Sequence, residues 1–327
     1  MGYAKEKKIV EAQAKRWKKI AGFIALFLVI IFVVFACAVP VKSWKYLIDM
    51  PKVPKMKENE LRLHFIDVGQ GDATLIEFPD GRTMLIDAGN GSEGANKALI
   101  SYLKALKIKY LDYIVVTHAD VDHFGGFEEV FEHTEVSFAY LPKVEATYSD
   151  FYAAFHKAMT KERCEAAFSS RSIGLSTKDY TLQFLYPYTA DENMGGENDG
   201  SAVIWLDYKG TSALFTGDLT ADGEEKLRRD SIQGYLRPYN VDLTSTEILK
   251  VSHHGSNSAT KEIFLKYMGV ETAVISCGVG NLYGHPNVET LTTLNSAGVD
   301  VHRTDTHGSI IITMKADGTY ETLRLGH

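Results

Sequence analysis

Residues 111–126 read LDYIVVTHADVDHFGG: a β-prone apolar run empties into His118, Asp120, Asp122 and His123, then into Gly125-Gly126. Such a run between polar segments predicts a buried strand, which leaves the ligand-type side chains in a loop at its end. The arrangement recurs along the chain. LIDAG carries Asp87, ALFTGD ends on Asp218, ILKVSHHGS carries His253 and His254, and SCGVGNLYGHP sets His285 in the loop after its strand. Polar groups that repeatedly follow apolar strands constrain the chain to a sheet-based fold whose loops gather along one edge.

From Glu60 onward strand and helix signals alternate, with no internal repeat and no low-complexity segment. LRLHFIDVGQGDATLIEF gives two strands around a Gly-Gln-Gly-Asp turn, TMLIDAG a third, and Ala95, Leu99, Ile100, Leu103 and Leu106 fall at helical spacing. SAVIWLDYKGTSALFTGD predicts a hairpin turning at Lys209-Gly210, and GSIIITMKADGTYETLRL a second at Asp317-Gly318. TEILKVS and TAVISC read as apolar strands, KEIFLKYM and VETLTTLN as helices. Hairpins mixed with strand–helix units predict an α/β domain with mixed sheets.

The N-terminus has a different character. Ala21 to Val39 form an uncharged apolar run of 19 residues, close to the roughly 20 needed to cross a bilayer as a helix. Lys5, Lys7, Lys8, Lys15, Arg16, Lys18 and Lys19 precede it against Glu6 and Glu11 alone, so the positive-inside rule keeps residues 1–20 cytoplasmic and exports the rest. The expected organisation is a cytoplasmic lead (1–20), a transmembrane anchor (21–39), a juxtamembrane stalk (40–59) and an extracytoplasmic domain (60–327). Ala36-Cys37-Ala38 has the form of a cleavage site, which would make the domain secreted, and a lipidated Cys37 is a further alternative. Trp44 and Tyr46 suit a membrane interface, and Pro51 and Pro54 discourage helix in the stalk.

Residues 21–327 hold 28 basic and 40 acidic side chains, a net charge of about −12. The exported part therefore lacks the basic excess of a general nucleic-acid binder. Cys37, Cys164 and Cys277 provide no disulfide framework, and the last two read as small buried residues.

Imidazole and carboxylate donors without thiolate suit Zn²⁺, Mn²⁺ or Fe and argue against a structural cysteine–zinc site. Taken singly, His285 reads as a turn residue before a proline, Asp218 as an N-cap, and His253-His254 as a polar surface pair. Their joint occurrence carries the metal reading. His118, Asp120, Asp122, His123, Asp218, His253 and His285 are too many for one tetrahedral ion and suit two metals bridged by a carboxylate. His64, His133, His156, His302, His307 and His327 fall outside the pattern.

The ordered string FIDVGQGDATLIE, LIDAG, THADVDHFGG, FTGD, LKVSHHGS, NLYGHPN and RTDTHGSI resembles the metallo-β-lactamase superfamily over roughly Leu61 to Leu325. Within that family the likeness is to the nuclease-like domain of the competence (DNA-uptake) protein ComEC and its stand-alone relatives. The resemblance implies an αββα four-layer sandwich, here preceded by one transmembrane helix, with two divalent ions, Zn²⁺ or Mn²⁺, at one edge of two facing sheets. It implies that His118, Asp120 and a histidine of the 253–254 pair hold one ion, that Asp122, His123 and His285 hold the other, and that Asp218 bridges. His253 is the expected ligand and His254 is expected to support the ligands from behind or to donate a proton, although strand alternation alone does not separate the neighbours. Asp122 and His254 are the candidate catalytic residues. Asp87 is expected to orient ligands, and Gln70, Asp72 and Asn198 to line the site or serve its turns. Tyr283, Lys250 and Ser256 sit beside ligand positions, as substrate contacts or as packing.

Two departures bear on the substrate. The lactam-hydrolysing members carry a histidine where Asp120 stands and another before the bridging aspartate, whereas no histidine lies between His156 and Asp218. ComEC also has a multi-span channel domain, so a DNA-uptake role is not expected to carry over. Two bridged ions lower the pKa of a shared water toward about 7 and clamp the oxygens of an in-line displacement. The expected function is therefore a membrane-anchored, metal-dependent hydrolase cleaving phosphodiesters with a metal-bridged hydroxide. DNA is one candidate substrate and a choline-phosphate-type wall decoration another, and no protein partner is inferable. The alternatives are a lactonase or thioesterase on the same fold and a non-catalytic metal-binding module.

Overall fold

In the computed structural model, residues 2–38, 46, 50–143, 150–189 and 198–327 are described. They form two units, Met1–Asp49 and Met50–His327. The first is dominated by α1 (Gly2–Ala38), which joins the basic lead and the apolar run in one helix. Its stretch Lys15–Val34, with mean hydropathy 2.3, is long and apolar enough to cross a membrane. Val39, Trp44 and the rest of 40–45 and 47–49 in the expected stalk lie outside the described residues.

In the second unit the alternation of apolar and polar residues sets the layers. The first sheet begins with β1 (Glu60–Phe65), β2 (Thr74–Glu77), β3 (Thr83–Ile86), β4 (Tyr110–Val115), β5 (Glu135–Leu141) and β6 (Glu165–Phe168). The second holds β7 (Gly174–Ser176), β8 (Tyr180–Tyr186), β9 (Val203–Tyr208), β10 (Thr211–Phe215), β11 (Thr246–Lys250), β12 (Thr272–Ile275) and β13 (Asp300–Arg303). β14 (Ile310–Lys315) and β15 (Tyr320–Arg324) return to the first, whose order is β15-β14-β1-β2-β3-β4-β5-β6; the second runs β13-β12-β11-β10-β9-β8-β7. Each sheet is antiparallel in one half and parallel in the other, the parallel parts being β3 to β6 and β10 to β13. The two predicted hairpins form. At Lys209-Gly210 both residues have positive φ, the two-residue turn whose twist matches that of the flanking strands.

Leu61, Leu63 and Phe65 of β1 meet Leu182, Phe184, Ile204, Leu206 and Phe215 in the core between the sheets. The alternate side chain His64 faces the other way, 2.9 Å from the Tyr102 hydroxyl of α2 (Glu93–Ala105). A helical layer thus covers the outer face of the first sheet. On the second sheet, Leu227 of α6 (Ala221–Ile232), Phe264, Leu265 and Met268 of α7 (Glu262–Met268), and Leu294 of α8 (Val288–Ser296) pack on Leu249, Val251 and Ala273. The short helices α3 (Val121–Phe124), α4 (Phe127–His133), α5 (Asp150–Lys161) and α9 (Thr304–His307) complete the set. Cys164 and Cys277 are free thiols.

Candidate metal centre

Asp87, His118, Asp218 and His253 lie just beyond the C-terminal ends of β3, β4, β10 and β11, and His285 lies in the long loop that follows β12. The parallel pairing of β3 with β4, and of β10 with β11 and β12, puts those ends on the same edge of their sheets. The loop after β4 runs into α3, which brings Asp122 and His123 beneath His118. Its two glycines are there for backbone contact. A Cβ on Gly126 would collide with the Ala88 carbonyl oxygen, and one on Gly125 with the backbone of Asn90. Backbone packed on backbone presses the 118–126 loop against the turn that carries Asp87.

Asp218 is the centre of the cluster and is buried. His123 Nε2 is 3.4 Å from its Oδ1, and the Nε2 atoms of His118, His253 and His254 are 3.8, 3.7 and 3.6 Å from its Oδ2. Asp120 Oδ2 lies 3.5 Å from His118 Nε2, and Asp122 Oδ2 lies 3.2 Å from His254 Nε2. Two ligand-type groups can be drawn through these atoms, His118–His123–Asp218 and Asp122–His123–His254.

Neighbouring groups fix the tautomers. His123 Nδ1 is 2.7 Å from Asp87 Oδ2, a position that calls for an Nδ1–H. The Thr117 hydroxyl donates to the same Asp87 oxygen at 2.7 Å, so its own lone pair, 3.1 Å from His118 Nδ1, accepts from that ring. His254 Nδ1 is 3.0 Å from the Ser276 carbonyl and must also donate. With Nδ1 committed in this way, each ring turns Nε2 toward the cluster, where it offers a lone pair to a cation once the ring is neutral, as partners of ligating histidines do. His118 Nε2, His123 Nε2, His254 Nε2 and Asp218 Oδ1 are buried with no hydrogen-bond partner. Orphaned polar atoms are costly, and four converging on one point fit a bound cation.

The electrostatics agree with that fit. Burial by itself would raise the Asp218 carboxyl, but the charges of His254 and His123 outweigh it and hold the group well below the usual carboxylate range. Burial likewise opposes charge on His254, yet Asp218, Asp72 and Asp122 push it up to about 10. Asp122, despite its own burial, is drawn down to about 2 by the neighbouring His254, whose Nε2 lies 3.2 Å from its Oδ2, and by the His123 charge. This pocket stabilises positive charge among its carboxylates. Oxygen-rich donors with imidazole suit Mn²⁺ as well as Zn²⁺.

Both residues of the histidine pair face Asp218. His253 (φ 49°, ψ 50°) and His254 (φ 51°, ψ 21°) are both left-handed, a conformation rare for residues with a Cβ and a sign of local strain. The strand has ended before them, so the alternation that would send neighbours to opposite faces no longer applies, and both rings reach Asp218. His254 is the buried one, grouped with Asp122 and His123. His253 is part-exposed, with Nδ1 3.4 Å from Asn198 Nδ2 and 3.2 Å from Ser258 Oγ. His285 does not group with Asp122 and His123; its ring sits 5.4 Å from that of His253 and 6.2 Å from that of His254.

Among the other expected residues, Asp72 is buried in an ion pair with Lys250, Oδ2 to Nζ 2.8 Å, with Oδ1 3.4 Å from His254 Nδ1. The sequence raised Lys250 without a partner; no local signal links it to Asp72 in the other sheet. Gln70 Oε1 accepts the Gly278 N–H at 3.2 Å and so ties the β1–β2 turn to the loop of His285.

Residues 66–279 match the family described as Metallo-beta-lactamase superfamily. The chain is 32% identical to ComE operon protein 3 of Bacillus subtilis over 267 residues, 77% of this chain and 33% of that protein. It is 29% identical to competence protein ComA of Neisseria gonorrhoeae over 77% of this chain and 32% of that one. It thus spans about a third of the length of the curated relatives it matches. Among solved structures, CmlA beta-hydroxylase (E377D mutant) shares the fold at TM-score 0.50 and 11% identity, covering 83% of this chain and 55% of that one. Because the family match takes in Asp87, the 118–123 loop, Asp218 and the histidine pair within two facing mixed sheets, the chain belongs to the metallo-β-lactamase superfamily.

Proposed function

We propose that this chain is a two-metal phosphoesterase, anchored by α1 with residues 50–327 outside the cytoplasm. The observation that carries the reading is the convergence of orphaned His118, His123 and His254 nitrogens on Asp218. His118, Asp120 and His253 would hold one cation and Asp122, His123 and His254 the other, with Asp218 shared. Two such cations would supply Lewis-acid charge and acidify a water near neutral pH. Asp87 and Thr117 hold the His118 and His123 rings in register, and the Asp72–Lys250 pair and Ser276 do the same for His254. His285, at the rim with a buried, unbonded Nδ1, faces the substrate side. The carboxylate-rich donor set, the absence of a histidine between His156 and Asp218, and the likeness to proteins named for competence support a phosphoester over a lactam.

The test uses the full-length protein in detergent, stripped of metal and reloaded with Mn²⁺ or Zn²⁺. Bis(4-nitrophenyl) phosphate, single- and double-stranded DNA, a lactone and a thioester are offered to wild type and to Asp218→Ala. Phosphodiester cleavage that depends on the metal and vanishes in Asp218→Ala is expected. Cleavage of the acyl substrates alone, or of none, overturns the phosphoester reading.

A further inference from the structure

The loop after β12 carries the most exposed apolar side chains among the described residues beyond α1. Tyr283 is 68% exposed, Val288 74% and Val279 75%, and Leu282 is wholly so. Local collapse does not hide them, because the loop is braced. The Asn281 side chain accepts the His285 N–H at 3.0 Å and donates to the Gly278 and His285 carbonyls. Asn287 donates to the Gly284 carbonyl at 3.1 Å and accepts the Asn257 N–H at 2.7 Å, which ties the loop to the segment after the histidine pair. From Gly278 to Val288 there is no Asp, Glu, Lys or Arg. Ile232 and Tyr235, at and after the end of α6, are exposed as well, but Arg228, Arg229, Asp230 and Arg237 lie among them. Clustered apolar residues held in water without charge mark a binding surface.

We infer that this loop docks on a lipid surface, with Val279 and Leu282 entering the apolar layer and Tyr283 among the head groups. The inference rests on the anchoring part of the proposed function and adds a second membrane contact to it. The span of α1 supplies the bilayer: the helix ends at Ala38 and the second unit begins at Met50, a stretch that covers at most about 40 Å when fully extended. The bilayer therefore stays within reach of the domain. A tethered contact is intramolecular, so a few apolar side chains that would hold a free protein poorly are enough. The loop's composition suits that partner. A charged side chain entering hydrocarbon is costly and none is present, while a tyrosine ring fits the interface with its hydroxyl in water. Asn281 and Asn287 are spent on bracing, which leaves the outward face non-directional, as suits a fluid lipid surface more than the polar rim of a protein partner. His285 shares the loop, its ring 5.8 Å from that of Tyr283, so docking would bring the substrate side of the cluster close to the head groups.

The test places the full-length protein in nanodiscs of phosphatidylcholine and phosphatidylglycerol and carries a nitroxide on Leu282→Cys or, for comparison, on Ile232→Cys. Cys37→Ser and Cys164→Ser remove the other reactive thiols, and the buried Cys277 stays. Power saturation then compares collisions with oxygen, which concentrates in lipid, and with a water-soluble nickel chelate. Docking predicts that the label at 282 loses nickel collisions and gains oxygen collisions relative to the label at 232. Adding Tyr283→Asp, a change on the surface, should return the label at 282 to the behaviour of the label at 232. Equal nickel access at the two positions, or shielding at 282 that survives Tyr283→Asp, overturns the docking while the anchor stands. Dipolar broadening between labels on two chains would put a second copy on the loop and overturns it too. A protein that does not enter the nanodiscs at all removes both the anchor and the docking.

Discussion

Removing Lys250 would strand the Asp72 carboxylate in the interior beside His254, 3.4 Å away. Breaking a buried ion pair from one side costs about 3–5 kcal/mol, because the remaining charge is uncompensated. Lys250→Met should therefore lower the unfolding free energy of the metal-free protein, by less than that amount because the His254 charge still faces Asp72, and adding Asp72→Asn should recover part of it, both read by denaturant titration. Asp87 sits in a different position: its two oxygens take the Thr117 N–H, the Thr117 hydroxyl and the His123 ring. An amide cannot accept all three, since its nitrogen must face a donor. Asp87→Asn should weaken metal affinity about 10- to 100-fold, measured by competition with a chelating dye. Asp87, His118 and His123 were legible in the sequence because each follows an apolar strand. The roles of His253 and His254 were not, because two left-handed residues interrupt the pattern that would have told them apart, and Gly255 after them is the one local hint of a sharp turn.

Among the elements, α6 holds an acid that the proposed chemistry does not use. Glu224 is fully buried and accepts from Ser252 Oγ at 2.8 Å and from the Thr260 N–H at 2.9 Å, joining α6 to the segments on either side of the histidine turn. Burial pushes its carboxyl up to about 7 against those hydrogen bonds, from an ordinary value of 4.5. The folded-state value is the higher one, so the group's contribution to stability is fully present below the unfolded value of 4.5 and is lost as pH rises through about 7. Glu224→Gln should flatten the fall in unfolding free energy between about pH 5 and pH 8 relative to wild type, measured without metal. An unchanged slope would mean that Glu224 does not titrate there. At this scale the hairpins at Lys209-Gly210 and Asp317-Gly318 and helices α2, α7 and α8 follow local signals. β6 (EAAF) and β7 (GLS) do not: they are too short to show a period and gain their conformation by pairing with β5 and β8.

For the whole molecule, the order of the two sheets rests on pairings distant in sequence, such as β1 with β14, which no local pattern specifies. The resemblance carried by the ordered motifs supplied what periodicity could not. Net charge operates at this scale too. With residues 21–327 at about −12, affinity for a phosphoester substrate should owe little to counterion release. Turnover of bis(4-nitrophenyl) phosphate should change by less than about twofold between 50 and 200 mM salt, against the 10³–10⁵ expected of a protein making 6–10 phosphate contacts. The central claim, two cations sharing Asp218, is tested most directly by counting them. Full-length protein would be reloaded with Mn²⁺ or Zn²⁺, dialysed free of excess, and assayed for bound metal by mass spectrometry beside Asp218→Ala. Two ions per chain in wild type, with the variant losing most of both, is the predicted result; wild type retaining none, or the variant retaining as many as wild type, would contradict it.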